Sequence, residues 1–123
     1  MYRILLVDDD EDFRKMPHKT IERAGYEVQD ASNGKFVVAM YREHPCHLIL
    51  TDLVMPEKEG LETITELRQF NPRIKIIAMS GGGRSGPRGY LDMAKKLGAK
   101  RTLAKPFSHQ EILDAIAEVL AEN

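Results

Sequence analysis

ILLVDDDED, residues 4–12, is a short apolar run that stops on a cluster of acids. Ile4–Val7 is too short to be a buried helix and shows no polar alternation. It reads as a strand covered on both faces, the kind found in parallel sheets. The next segment fits a covering helix. Phe13, Met16, Thr20, Ile21 and Ala24 form a helical stripe within Asp12–Ala24, and Gly25 is placed to end it. Pro17 falls inside that segment, where it removes a backbone donor and crowds the preceding turn. A kink near it, or a late helix start, is expected.

The same alternation continues outward from this stretch. Strands are predicted at Tyr26–Ala31, His47–Thr51, Ile74–Met79 and Arg101–Ala104. Helices are predicted around Val37, Met40 and Tyr41, over Glu59–Phe70, around Tyr90–Leu97, and over Gln110–Leu120. SGGGRSGPRG, residues 80–89, reads as a glycine-rich loop containing Gly81, Gly82, Gly83, Gly86 and Gly89. Strands alternating with helices make an α/β fold: a doubly wound, five-stranded parallel sheet of order 2-1-3-4-5 with five helices. In such a sheet the ligand crevice lies beyond the carboxyl ends of the central strands.

Composition agrees with one domain spanning residues 1–123, without an output domain in this chain. The hydrophobic share is 42% and the formal charge −1, which gives no electrostatic footprint for nucleic acid. No apolar run is long enough for a membrane helix, and the N-terminus lacks the form of a secretory signal, so a cytoplasmic protein is expected. Cys46 is the only cysteine and reads as a packing residue. His18, His44, His47 and His109 share no ligand spacing and read as surface or partly packed.

The strand ends carry the chemistry. Asp8, Asp9, Asp10 and Glu11 come after the first strand, Asp52 after the third, Ser80 after the fourth and Lys105 after the fifth. Parallel strands bring these ends together. Converging carboxylates repel unless something neutralises them, and Mg²⁺ suits a few carboxylates plus water and phosphate oxygens. Asp9 and Asp52 are the best side-chain ligands, with Asp8 acting through water and the Val54 backbone carbonyl as a further oxygen. Mn²⁺ is expected to substitute. Lys105 and Ser80 are suited to the remaining oxygens of an acyl phosphate, and Asp52, set centrally, is the candidate nucleophile. Asp10 and Glu11 face solvent or help to start the first helix.

These segments, ILLVDDDED, LILTDLVMPEKEG, KIIAMS and TLAKPF, in this order and spacing, resemble the receiver domains of two-component response regulators, over residues 3–120. The resemblance implies a flavodoxin-like receiver fold and a phosphoacceptor at Asp52, with Asp8 and Asp9 as the acidic pair. It implies a switch hydroxyl at Ser80, a phosphate-binding Lys105, and a cis bond before Pro106. Met55, Pro56 and Gly60 match the loop after the acceptor. The implied partners are a histidine kinase or histidine phosphotransfer protein and a downstream target, with Met16, Pro17 and Phe107 as docking candidates. Phosphorylation would switch the surface of helix four, strand five and helix five. A monomer is the default, with dimerisation through that surface the alternative on activation. The chain would assist its own phosphorylation and dephosphorylation without being a turnover enzyme.

Two departures stand out. Thr102 replaces the switch aromatic of many relatives, with Tyr90 a candidate substitute, and the 80–89 loop is about three residues longer than usual. Val54 and Gly82 occupy positions that tune phosphoryl lifetime in the family, and neither can orient water, so slow decay is expected. The competing readings are a binding module that works unphosphorylated, and a flavin-binding electron carrier on the same fold, against which the acidic first loop argues.

Overall fold

The computed structural model describes residues 1–53, 60–81 and 87–122, with residues 87–91 described by their backbone alone. The strands are β1 (Arg3–Val7), β2 (Glu27–Ala31), β3 (Leu48–Asp52), β4 (Ile76–Ser80) and β5 (Arg101–Ala104). The helices are α1 (Glu11–Arg23), α2 (Val37–Glu43), α3 (Gly60–Phe70), α4 (Pro87–Leu97) and α5 (His109–Ala121), and a 3₁₀ turn over Gly34–Phe36 leads into α2. All strand pairs are parallel, in the order β2-β1-β3-β4-β5. The expected topology is the observed one.

Alternation along the strands divides the core in two. Leu5, Val7, Ile49, Ile76 and Ala78 face Val37, Tyr41, Ile64, Leu67 and Ala94, so α2, α3 and α4 cover that side. Ile4, Leu6, Leu48, Leu50, Ile77 and Met79 face Ile21, Ile112, Ile116 and Val119, so α1 and α5 cover the other. Every residue of β3 and β4 is buried, which is why both read as apolar runs, β3 ending in Thr51 and Asp52 and β4 in Ser80.

The helix ends are built locally. Asp10 caps α1 by accepting a hydrogen bond from the Phe13 backbone N–H at 3.0 Å, and Glu11 and Asp12 sit where the helix dipole favours negative charge. Asp10, Glu11 and Asp12 therefore start a helix rather than line the site. Gly25, at φ +98°, supplies the left-handed residue after α1. Ser108 and Glu111 form a reciprocal capping box at the start of α5.

Three expectations are corrected. α1 does not start late; it begins at Glu11 and continues as one helix through Pro17, whose ring nitrogen carries no backbone donor. Gly89 is not in the loop, because α4 already begins at Pro87, whose fixed φ suits a first helical turn. β4 starts at Ile76, two residues later than expected, and takes in Ser80. Gly82, Gly83 and Gly86 lie outside the described residues.

Candidate functional site

The carboxyl ends of β1, β3, β4 and β5 meet in one crevice. Asp8 directly succeeds β1 and is fully buried. Its Oδ1 accepts a hydrogen bond from the Asp10 backbone N–H at 2.9 Å, and its Oδ2 accepts one from Lys105 Nζ at 2.6 Å. Lys105 Nζ also lies 3.2 Å from Asp52 Oδ1. One ammonium thus bridges the acids at the ends of β1 and β3. Asp9 is exposed beside them, and Asp8, Asp9 and Asp52 can each turn one oxygen to within 4.8 Å of the others.

The backbone fixes these positions. The Lys105 N–H donates to the Ser80 carbonyl at 2.8 Å, which ties the end of β5 to the end of β4. Ser80 is buried, and its hydroxyl donates to the Gly81 carbonyl at 3.4 Å. The peptide bond between Lys105 and Pro106 is cis. Beyond Asp52 the chain returns so closely that the Gly60 N–H donates to the Leu53 carbonyl at 2.8 Å.

Burial pushes the Asp52 carboxyl up from 3.8 to about 6; Lys105 opposes the rise, and Asp8 and Asp9 add to it. Among the described residues, the carboxylates of Asp8, Asp9 and Asp52 and the Lys105 ammonium, which contacts Asp8 and Asp52, sum to a charge of −2 once all are ionised. The donors are hard oxygens, and Asp8 and Asp52 are nearly or fully withdrawn from water. That set fits a divalent cation of the Mg²⁺ type. The Val54 carbonyl, Met55 and Pro56 lie outside the described residues.

Two residues at the site are not evident from sequence. Phe13 holds its ring under Lys105, with Nζ 4.0 Å from the ring centroid. Arg14 donates from Nη1 to the Asp8 carbonyl at 2.9 Å. Helical spacing marks Phe13 as an inward residue and says nothing of a lysine far along the chain. Arg14 offers only its place one turn beyond the acids as a signal.

Of the docking candidates, Met16 is half-buried, and its sulfur accepts from the Thr20 hydroxyl at 3.6 Å. Pro17 and Phe107 are corrected: both are interior. Pro17 lies four residues beyond Phe13 on the inward stripe of α1 and is buried. Phe107 is 6% exposed, its ring edge-on to Phe13 with centroids 5.6 Å apart. Thr102 is half-buried on β5, in register with Ala78. Tyr90 falls within α4, its side chain outside the described residues. His18 is half-buried, its Nδ1 2.7 Å from Asp30 Oδ1, and His109 is exposed, its Nδ1 contacting the Thr20 hydroxyl. Cys46 packs at the edge of the core, where burial pushes its thiol up to about 11. Among the described residues, no helix is long and apolar enough to cross a membrane.

Known proteins resemble this chain in sequence and fold. The chain is 36% identical over 118 residues to the chemotaxis protein CheY of Thermotoga maritima, covering 95% of this chain and 96% of that protein. It is 31% identical over 121 residues to the sporulation initiation phosphotransferase F of Bacillus subtilis, covering 96% and 93%. The solved structure of a CheY-like response regulator receiver domain protein from Methanospirillum hungatei superposes with a TM-score of 0.87 at 28% identity, over 98% of this chain and 94% of that one. The sequence profile of the response regulator receiver domain matches residues 4–117, and the chain belongs to that family, the receivers of two-component signalling systems.

Proposed function

We propose that this chain is a phosphorylation-dependent signalling receiver whose acceptor is Asp52. The observation that carries the reading is the Lys105 ammonium, 2.6 Å from Asp8 and 3.2 Å from Asp52, in a crevice that ends in the Ser80 hydroxyl. A cation in contact with a buried carboxylate can bind an oxygen of a phosphoryl group carried on that carboxylate. The donor would be a phosphohistidine on a kinase or phosphotransfer protein. An Asp52 carboxylate oxygen attacks phosphorus, the P–N bond breaks, and its electron pair returns to the imidazole nitrogen. The acyl phosphate later hydrolyses to Asp52 and inorganic phosphate. The receiver would not be a turnover enzyme in its own right.

Asp9 and Asp52 would hold Mg²⁺ directly and Asp8 through water. When bound, the ion neutralises phosphoryl charge in the transfer. Lys105 supplies the fixed positive charge, Asp8 keeps it aimed, and the Ser80 hydroxyl is placed to turn from the Gly81 carbonyl toward a phosphoryl oxygen. That turn would bias the α4, β5 and α5 surface between two states, and a downstream target would read the difference.

Intact mass after incubation with acetyl phosphate tests the reading. The expected result is a gain of about 80 Da that requires Mg²⁺ and is lost in Asp52→Asn. If neither acetyl phosphate nor a panel of phosphorylated histidine kinases labels Asp52, a binding module that works unphosphorylated replaces it.

A further inference from the structure

Arg14 lies where α1, the Asp30 carboxylate of β2 and the acidic crevice meet. Its Nη1 donates to the Asp8 carbonyl at 2.9 Å. Its Nε, 3.8 Å from Asp30 Oδ2, is buried and has no hydrogen-bond partner. The other Asp30 oxygen is engaged by His18 Nδ1 at 2.7 Å. The Arg14 side chain is only 13% exposed.

A guanidinium offers a planar fork that matches a carboxylate with two parallel bonds. Asp30 is near enough to invite that pairing, yet Nε stops short of it and remains unsatisfied, which costs free energy. The contact kept instead is the one to Asp8. The Asp8 N–H already donates to the Ala31 carbonyl at 3.1 Å, so β2 and Arg14 together hold both polar backbone groups of Asp8. The carbonyl that Arg14 grips belongs to the peptide unit joining Asp8 to Asp9. Its plane sets how Asp8 meets Lys105 and in which direction Asp9 leaves.

We propose that Arg14 is a positioning residue of the acidic site, fixing the Asp8–Asp9 peptide so that the two carboxylates are spaced for a divalent cation. Asp30, braced by His18, steadies the guanidinium from β2. The inference rests on the cation-binding reading of the crevice given above. It goes further by assigning a role to three residues outside the set proposed to hold cation or phosphate.

The test is Mn²⁺ affinity of the unphosphorylated protein, read from the electron paramagnetic resonance of free Mn²⁺. Wild type is compared with Arg14→Met, Arg14→Lys and Asp30→Asn, and folding is checked by amide NMR spectra and urea midpoints. Arg14→Met is expected to bind about tenfold more weakly, the usual scale for losing a group that orients a metal ligand. Arg14→Lys, with one donor left for the carbonyl, is expected to recover most of that loss, and Asp30→Asn to show a smaller one. Wild-type affinity in a folded Arg14→Met overturns the proposal and leaves the cation site standing. A lysine variant as weak as the methionine one overturns it too, leaving Arg14 a fold-holding residue. Should Arg14→Met not fold, wild-type affinity in Asp30→Asn decides against it. A wild type that binds no Mn²⁺ removes the cation reading and the proposal together.

Discussion

A Cβ placed on Gly60 would stand 2.2 Å from the backbone carbonyl oxygen of Asp52 and 2.6 Å from the Leu53 Cα. Both neighbours are backbone, so no side-chain rotation makes room. The start of α3 is therefore seated against the chain that carries Asp52. Gly60→Ala must push one of them away. Overpacking of this kind costs about 1–3 kcal/mol, and the upper part of that range is expected here. Urea unfolding checks it. An unchanged midpoint would show that the α3 start yields freely and does not hold Asp52.

The raised Asp52 carboxyl links stability to pH. The folded protein holds this proton up to about 6, whereas the ordinary value is 3.8. The folded state thus binds more protons between those values, and stability from this group falls as pH rises through that window. It is fully present below about pH 4 and lost above about pH 6. The resulting penalty near neutrality is on the order of 3 kcal/mol. Asp52→Asn removes the charge while keeping the shape. In chelator, the variant should exceed wild type in stability at about pH 8 and lose that advantage toward about pH 4. A constant difference across the range would contradict burial as the cause.

Divalent cation should act in the opposite sense. A ligand that binds only the folded state stabilises it by mass action, by about 2.7 kcal/mol at a hundredfold excess over Kd. Mg²⁺ should therefore raise the wild-type urea midpoint. Asp9→Asn, which alters an exposed residue, should fold normally and respond much less. Because a proton competes for Asp52, the stabilisation should shrink as pH falls through about 6. Equal responses in wild type and Asp9→Asn would remove Asp9 from the ligand set.

Much of this was legible in the sequence because the central strands are buried on both faces. Ile49, Leu50, Ile77 and Met79 belong to apolar runs that give way to Asp52 and Ser80 at their strand ends, so the chain marks its own crevice. Less legible was anything decided by which helix face meets which strand end. Phe107 comes after Lys-Pro in an exposed-looking turn, and only the packing of α1 under that turn puts its ring against Phe13. Pro17 is a helix breaker by local rules, but burial along the Phe13 stripe outweighs one missing backbone bond. Arg14 looks like a surface cation in an acidic helix start, and its hold on Asp8 comes from α1 turning back over the end of β1.

The ring of Phe13 gives a last prediction, on Lys105. Nζ sits 4.0 Å from the ring centroid while bonded to Asp8, so the ring covers a side of the ammonium that the carboxylates leave open. Cation–π attraction is worth about 0.5–1 kcal/mol at exposed sites and about 2 when desolvated. The Lys105 side chain is 14% exposed, which favours the larger value. Phe13→Leu keeps an apolar group against Phe107 and removes the π-face. A double-mutant cycle of Phe13→Leu with Lys105→Met separates this attraction from packing. A coupling of about 1–2 kcal/mol is expected, with slower labelling of Asp52 by acetyl phosphate in Phe13→Leu alone. Zero coupling with normal labelling would mean that Asp8 and Asp52 hold the lysine unaided, and that Phe13 only fills space.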